Sequence, residues 1–398
     1  MGTVTRALAT VDIQRDLNYQ FAWNRYLMKM MGIWPEERKW NRPSSYVVLL
    51  PFLTILCFAW VPQTINLPLI AHDLNLVVEN LSMCNITVTI AFSKAIIFWM
   101  KGESLKNLLK CMANDWATVE TKTGRRRMMN IAGISRKITI TCISLCYSAN
   151  VAYGLLRLVF IKSSENRLFF HGYFPYDVTI SPNFERTVFG QAIAMICATT
   201  IYSTVDTFIT MLILHACGQL SNLKEDLMKI HSYDKNNLHM KLKEIVQKHD
   251  YVNRFSETVE NCFNVMLLIQ MLGSIIQLCF QTFQGIMSLE EELEQYMIFQ
   301  LVFLSLYTVS VMVQLLLYCY IGERLASEST DIADTAYNCE WYSLPPKDAR
   351  LLLIIMCRSV SSPLKLTAGK FCWFTILLYS QVLRTSAAYI SVLYAVRG

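Results

Sequence analysis

The chain closes on PLKLTAGKFCWFTILLYSQVLRTSAAYISVLYAVRG, residues 363–398. From 371 to 396 this stretch is apolar and longer than the ~20 residues that cross a bilayer as a helix. Yet it carries Lys370, Gln381 and Arg384, which a plain anchor would not need. Thr385, Tyr389, Val392 and Val396 recur at i, i+4, i+7 and i+11 and so share one helical face. The upper part of that helix is small and apolar, while Gln381, Arg384 and Ser386 lie lower. A pore-lining helix with an apolar constriction has this pattern, because apolar rings gate by dewetting. An ordinary span packed through Ser386, Ala387 and Ala388 has it too, and the pattern leaves both readings open.

Working outward, six more runs meet the same length criterion: 45–65, 76–100, 138–161, 188–217, 263–286 and 297–322. The composition agrees, with 54% hydrophobic and only 17% charged residues, outside the usual soluble range. Barrel strands would be half as long and would alternate apolar and polar residues. The expected fold class is therefore all-α, a seven-transmembrane-helix membrane protein. Arg6, Asp12, Arg15 and Asp16 interrupt the first twenty residues, so no cleavable signal is expected and the first span acts as the insertion signal.

Cationic residues set the expected orientation. Arg25, Lys29 and Arg38 precede the first span, Arg125, Arg126 and Arg127 lie between spans 2 and 3, Lys224, Lys241 and Lys248 between spans 4 and 5, and Arg324, Lys347 and Arg358 between spans 6 and 7. The alternate connections are nearly bare, and that after span 5 is acidic at Glu290, Glu291 and Glu292. A cytosolic amino terminus and an extracellular carboxyl terminus follow, opposite to G-protein-coupled receptors. None of the thirteen cysteines clearly lies in an outer loop, so the outer disulfide of those receptors has no candidates.

The chain divides into a cytosolic segment 1–44, spans 1–4 over 45–217, a cytosolic helical hairpin 218–262, spans 5–6 over 263–322, a cytosolic helical region 323–370, and the last helix 371–398. Within the hairpin, Leu220, Leu223, Leu227 and Ile230, then Leu238, Leu242, Ile245, His249, Val252 and Phe255, recur at helical spacing around a polar SYDKNN turn. Spans 4 and 5 are expected to continue as helices well beyond the bilayer, with 188–230 reaching roughly 65 Å. Their apolar faces require a cover, either neighbouring subunits or each other. Pro345 and Pro346 mark the start of a further amphipathic helix, ended by Pro363.

Catalytic and cofactor motifs are absent: there is no HExxH, P-loop, GxSxG or GxGxxG. No enzyme activity, cofactor or metal is expected. GRRRMM at 124–129 is basic but suits lipid headgroups better than nucleic acid. Asn80-Leu-Ser82 and Asn85-Ile-Thr87 match the glycosylation pattern but fall inside span 2. Polar residues within spans are costly in lipid. Lys94 and Arg157, near span ends, are expected to snorkel, whereas Asp206, deep in span 4, is expected to face protein. Gln270, Gln277, Gln281 and Gln284 fall near one face of span 5, where they either bond neighbouring helices or line a wet path.

The tail resembles the carboxyl terminus of the insect odorant receptor family through Thr367 to Phe371, Arg384-Thr385-Ser386 and Tyr389 to Leu393. GYFPYDVTISPNFE at 172–185 resembles that family's second outer loop, and ILHACGQLSNLKEDL and EWYSLPPKDARLLLIIMCRS are similar to its cytosolic segments. The resemblance implies a tetrameric ligand-gated cation channel in the plasma membrane of sensory dendrites, in which a tuning subunit assembles with a shared co-receptor. It implies that the last helix lines the pore, with the gate at Val392 and Val396 beside Tyr389 and Thr385. The short loop between spans 4 and 5 implies a tuning subunit, since the co-receptor's is much longer. A gustatory Thr-Tyr…Gln-Phe ending is lacking. The implied odorant pocket lies in the outer half of the bundle, where the chain offers Asn80, Met83, Val151, Gly154, Leu158, Met195, Thr199, Phe303 and Tyr307. Expected partners are the co-receptor, a small volatile organic ligand and membrane lipid, not nucleic acid. A metabotropic chemoreceptor and a small-molecule transporter are the rival classes.

Overall fold

The computed structural model describes residues 2–37, 43–119, 121–160, 168–233, 235–288 and 294–397. Side chains at 2–13, 43–44, 83–84, 158–160, 235–236, 294–296 and 389–397 lie outside that description. Helix α1 covers Gly2–Met30. The first span is α2 (Leu49–Ile55) and α3 (Val61–Leu69) joined by a π-turn at Leu56–Trp60. The second is α4 (Leu74–Asn80) and α5 (Ile86–Met100) joined by a π-turn at Leu81–Asn85. Then follow α6 (Gly102–Thr118), α7 (Lys122–Phe160), α8 (Asn183–Met228), α9 (Lys235–Ser288), α10 (Glu294–Asn338), α11 (Pro346–Ser361) and α12 (Ile376–Arg397). Among the described residues, five helices are long and apolar enough to cross a membrane, and α5 is a shorter apolar helix. With the α4–α5 unit and α12 they account for the seven expected spans.

Helix α8 is the axis of the molecule. Every residue from 201 to 220 is buried: apolar side chains occur on every side of α8, which favours a surrounded helix, and polar ones such as Asp206, Thr207 and His215 find partners on neighbouring helices. Helices α7, α10, α9, α5, α2 and α1 pack around it. Below the spans, α8 and the turn after it pack on α9, and Leu223 and Leu227 of α8, Ile230 just past its end, and Leu238, Leu242 and Ile245 of α9 are all buried. Lys248 Nζ reaches Asp226 Oδ2 at 3.0 Å across the pair. Helix α11 closes this region by burying Leu352 and Ile355, and Asp348 meets His239 Nδ1 at 2.7 Å.

The last span starts later than the apolar run. Residues 367–373 form a small hairpin, β1 (Thr367–Ala368) against β2 (Cys372–Trp373), with Thr367 opposite Trp373. Gly369 and Lys370 turn it at φ values of 58° and 64°. Glycine meets the first of these without steric cost. Helix α12 therefore begins at Ile376, its amide capped by Glu323 Oε2 of α10 at 2.7 Å.

Candidate functional site

The 168–182 loop folds back over one end of the bundle, and the bundle's own polar groups hold it there. Tyr153 Oη of α7 donates to the Phe169 carbonyl at 2.5 Å. Gln191 of α8 accepts from the Phe169 and Phe170 amides at 3.0 and 3.3 Å and donates to the Phe170 carbonyl at 2.9 Å. A glutamine placed this way acts as one more strand edge, satisfying a loop that has no sheet of its own. Arg157 donates to the Leu168 carbonyl; instead of snorkelling as expected, it turns inward to the loop. Gly172 lies so close to Pro62 that an added Cβ would sit 2.9 Å from the Pro62 Cβ. Farther along, Asp177 accepts from Thr179 N and Oγ1 at 2.8 and 2.6 Å, which holds its carboxyl below the ordinary range.

Beneath the loop is a cavity of about 300 Å³. Gln63, Asn66 and Ile70 of the first span, Leu76, Glu79 and Asn80 of α4, Tyr153 of α7, and Leu168 to Gly172 with Val178 line it. Burial lowers the pKa of His171 in this wall; Glu79 opposes the shift and Arg157 adds to it. An aromatic series leads inward from the cavity. Phe170 stacks on Tyr153 at 5.5 Å, Tyr153 meets Phe303 at 5.0 Å, and Phe303 stacks on Tyr307 at 5.7 Å. It ends on a polar knot, where Gln277 Nε2 donates to Thr87 Oγ1 at 2.8 Å and Tyr307 Oη at 3.1 Å, and the two hydroxyls bond each other.

The polar face of α9 continues from that knot. Gln284 accepts from Ser82 at 2.8 Å, Gln281 from Thr308 at 3.0 Å, and Gln270 donates to Tyr202 Oη at 2.7 Å. The span-5 glutamines thus bond neighbouring helices. Lys94 departs from expectation. It is fully buried and ion-paired with Asp206, and Tyr318 Oη also donates to Asp206, at 2.5 Å. Lys94 further donates to the Tyr202 carbonyl at 3.3 Å and lies 3.8 Å from the Tyr202 ring centroid.

Of the nine residues expected at a pocket, Asn80 alone among those with described side chains lines this cavity. Phe303 and Tyr307 belong to the aromatic series behind it. Thr199 accepts from Asn150 Nδ2 at 2.6 Å, and Met195 is half-buried against the core. Gly154 is half-buried with open space around it, and Val151 is exposed on the outside of the bundle. The side chains of Met83 and Leu158 lie outside the described ones. The cavity instead uses Gln63, Tyr153, Phe170 and His171. A glutamine inside an apolar span was the available signal for Gln63; the loop residues join only because the loop folds inward. Asn80 and Asn85, which match the glycosylation pattern, are both buried.

On α12, Val382 and Ser386 are buried, and Cys279 Sγ of α9 donates to the Ser386 carbonyl at 3.6 Å. Gln381, Arg384, Thr385 and Ala388 are exposed at i, i+3, i+4 and i+7, so one partly polar face of this span is left uncovered. The side chains of Tyr389, Val392 and Val396 are outside the described ones.

A family model described as 7tm odorant receptor matches residues 73–387. Odorant receptor 13a of Drosophila melanogaster is 24% identical over 93% of this chain and 94% of its own. Odorant receptor 22c of the same species is 21% identical over 92% and 94%. The odorant receptor coreceptor of Aedes aegypti is 26% identical over 37% of this chain and 30% of its own. In fold, the chain is similar to the insect olfactory receptor OR5 from Machilis hrabei solved in complex with eugenol, with a TM-score of 0.82 at 16% identity, over 96% of this chain and 100% of that one.

Proposed function

The chain belongs to the 7tm odorant receptor family, and from that premise we propose that it is the ligand-binding, tuning subunit of a heteromeric odorant-gated cation channel in the plasma membrane. The uncovered face of α12 carries this reading. Gln381, Arg384, Thr385 and Ala388 are an unsuitable set to present to lipid, but a suitable wall for an aqueous path shared between subunits. Val392 and Val396 continue the helix toward its end and form the apolar gate. The subunit is a receptor and channel component, not an enzyme. The cationic loops put the amino terminus in the cytosol and the 168–182 loop outside. The α8–α9 hairpin and α11 then lie in the cytosol, where Leu353, Ile354, Val360 and Tyr342 remain exposed. Neighbouring subunits, the odorant receptor coreceptor among them, cover these residues in a tetramer.

A volatile ligand enters the cavity under the loop and contacts Tyr153. The aromatic series carries any displacement to Phe303 and Tyr307 on α10 and to Gln277 on α9. These two helices hold α12, through Glu323 at its start and Cys279 at Ser386. The ligand opens the pore to the extent that it binds the open arrangement more tightly. The test is outside-out patch recording, without nucleotides in the pipette, from cells expressing this chain with and without a co-receptor. Unitary cation currents evoked by volatiles only with both chains are expected. Responses that need intracellular guanine nucleotide would replace this reading with a metabotropic one.

A further inference from the structure

We propose that the cavity under the 168–182 loop selects ligands bearing a hydroxyl group, alcohols or phenols, and that Asn80 is the residue that reads it. The proposal rests on the reading of this cavity as the odorant site and adds the chemical class of the ligand. Asn80 lines the cavity and is only 6% exposed. Among the described residues, it alone has both atoms of a buried side-chain amide, Nδ2 and Oδ1, without a hydrogen-bond partner. Gln63 Oε1, on the facing span and 2% exposed, is also unpartnered. Elsewhere in the bundle the buried amides of Gln191, Gln270, Gln277 and Gln284 each find at least one partner. A buried amide with neither atom paired is costly, and the cost is recovered when a ligand supplies the missing groups.

The backbone also singles out this place. Asn80 is the last residue before the π-turn of the second span, and Gln63 follows shortly after the π-turn of the first. A π-turn inserts a residue and rotates the helix face beyond it, a distortion frequent at functional sites. Here it accompanies two polar side chains in the wall of one cavity.

The chemistry of the ligand follows from the donor set. A hydroxyl accepts from Nδ2 through its oxygen and donates its proton to Oδ1 of Asn80 or Oε1 of Gln63, so one small group satisfies both needs. A ketone or ester accepts from Nδ2 and leaves the acceptors unpaired. A hydrocarbon leaves all of them unpaired. A carboxylate would meet the Glu79 side chain in the same wall. The remainder of the ligand lies against Tyr153, Phe170 and Leu76 and is apolar.

The experiment uses the purified full chain with its co-receptor. Binding is read from the shift in melting temperature with ligand concentration, and currents are recorded in parallel. Three matched sets are the probes: 1-phenylethanol, acetophenone and ethylbenzene; 2-octanol, 2-octanone and octane; and 4-ethylphenol, 4-ethylanisole and 4-ethyltoluene. In at least one set the hydroxyl compound is expected to bind about ten- to a hundredfold more tightly than its hydrocarbon, with the carbonyl or ether between them. Asn80→Leu should abolish that difference, leave the hydrocarbon's affinity unchanged or improved, and keep or raise the melting temperature without ligand, since it removes two unpaired polar atoms. Gln63→Met should reduce the difference by less. Equal binding within every set, or a preference that survives Asn80→Leu, overturns the assignment of ligand class while leaving the receptor reading intact. A lower melting temperature for Asn80→Leu without ligand makes Asn80 structural and also overturns it. No binding by any probe, with currents still evoked by other volatiles, moves the ligand site elsewhere and overturns the proposal with it.

Discussion

At the scale of residues, the spans owe their specificity to a few buried polar partners. Lys94 and Asp206 are both inaccessible, and the pair is completed by Tyr318 and by the Tyr202 carbonyl and ring. Taking two charges out of water is expensive, and the attraction between them repays it only while both are present. Lys94→Met should therefore cost about 3–5 kcal/mol by leaving Asp206 uncompensated, whereas Lys94→Met with Asp206→Leu should recover most of it. Thermal melts of the purified variants check this, and a double variant as unstable as the single one would count against the pairing. Asp206 is legible as a protein-facing residue from its depth in the span. Lys94 is not. Its position two turns from a span end is compatible with snorkelling, and nothing local reveals a carboxylate on a helix more than a hundred residues later. Arg157 was obscured in the same way, since its partner is a loop carbonyl.

At the scale of elements, the approach of α10 to the start of α12 depends on one missing side chain. A Cβ on Gly322 would lie 2.5 Å from the Phe374 carbonyl oxygen and 2.9 Å from the Phe374 Cβ. The first of these is backbone, so it cannot be relieved by a rotamer change. Gly322→Ala should force the hairpin and α12 away from α10 and cost about 1–3 kcal/mol. Gly154→Ala, at a helical glycine with open space around it, should instead stabilise by about 0.5–1 kcal/mol. Comparing the two melting temperatures isolates the contact, and similar shifts would refute it. The hairpin itself was hidden in the sequence. Its two-residue strands are too short to leave an alternating pattern, and the apolar run from 371 merges with that of the helix. Gly369-Lys370 is the one local signal for it, a turn dipeptide at the head of an apparent span.

At the scale of the whole molecule, what the sequence records well is periodicity, and what it records poorly is neighbourhood. The long α8–α9 pair could be traced past the bilayer because each apolar position on it packs against another helix and so repeats at helical spacing. The inward fold of the 168–182 loop leaves no periodicity, and that is why, of the seven expected pocket residues whose side chains are described, six are not in this cavity's wall. The same long pair sets a whole-molecule response to pH. His249 of α9, outside the spanning segments, is buried between Asn253 at 3.3 Å and Ser359 of α11 at 3.4 Å. Burial lowers its pKa below the ordinary 6.5, and Arg358 lowers it further against a small opposing effect of Asp250. The folded protein thus prefers the neutral ring. Above pH 6.5 both folded and unfolded chains hold it neutral and stability is unaffected. As the pH falls below 6.5 the unfolded chain takes up the proton first, and stability drops until the folded value is reached. His171, lowered for the same reason, contributes in the same direction from the other end of the molecule. The melting temperature should therefore fall between pH 7.5 and 5.5. His249→Gln, neutral throughout and still able to bond Ser359, should remove part of that fall and leave the part due to His171. A pH profile unchanged by His249→Gln would mean that the α9–α11 contact tolerates the charged ring, and that the hairpin region is wetter than its burial implies.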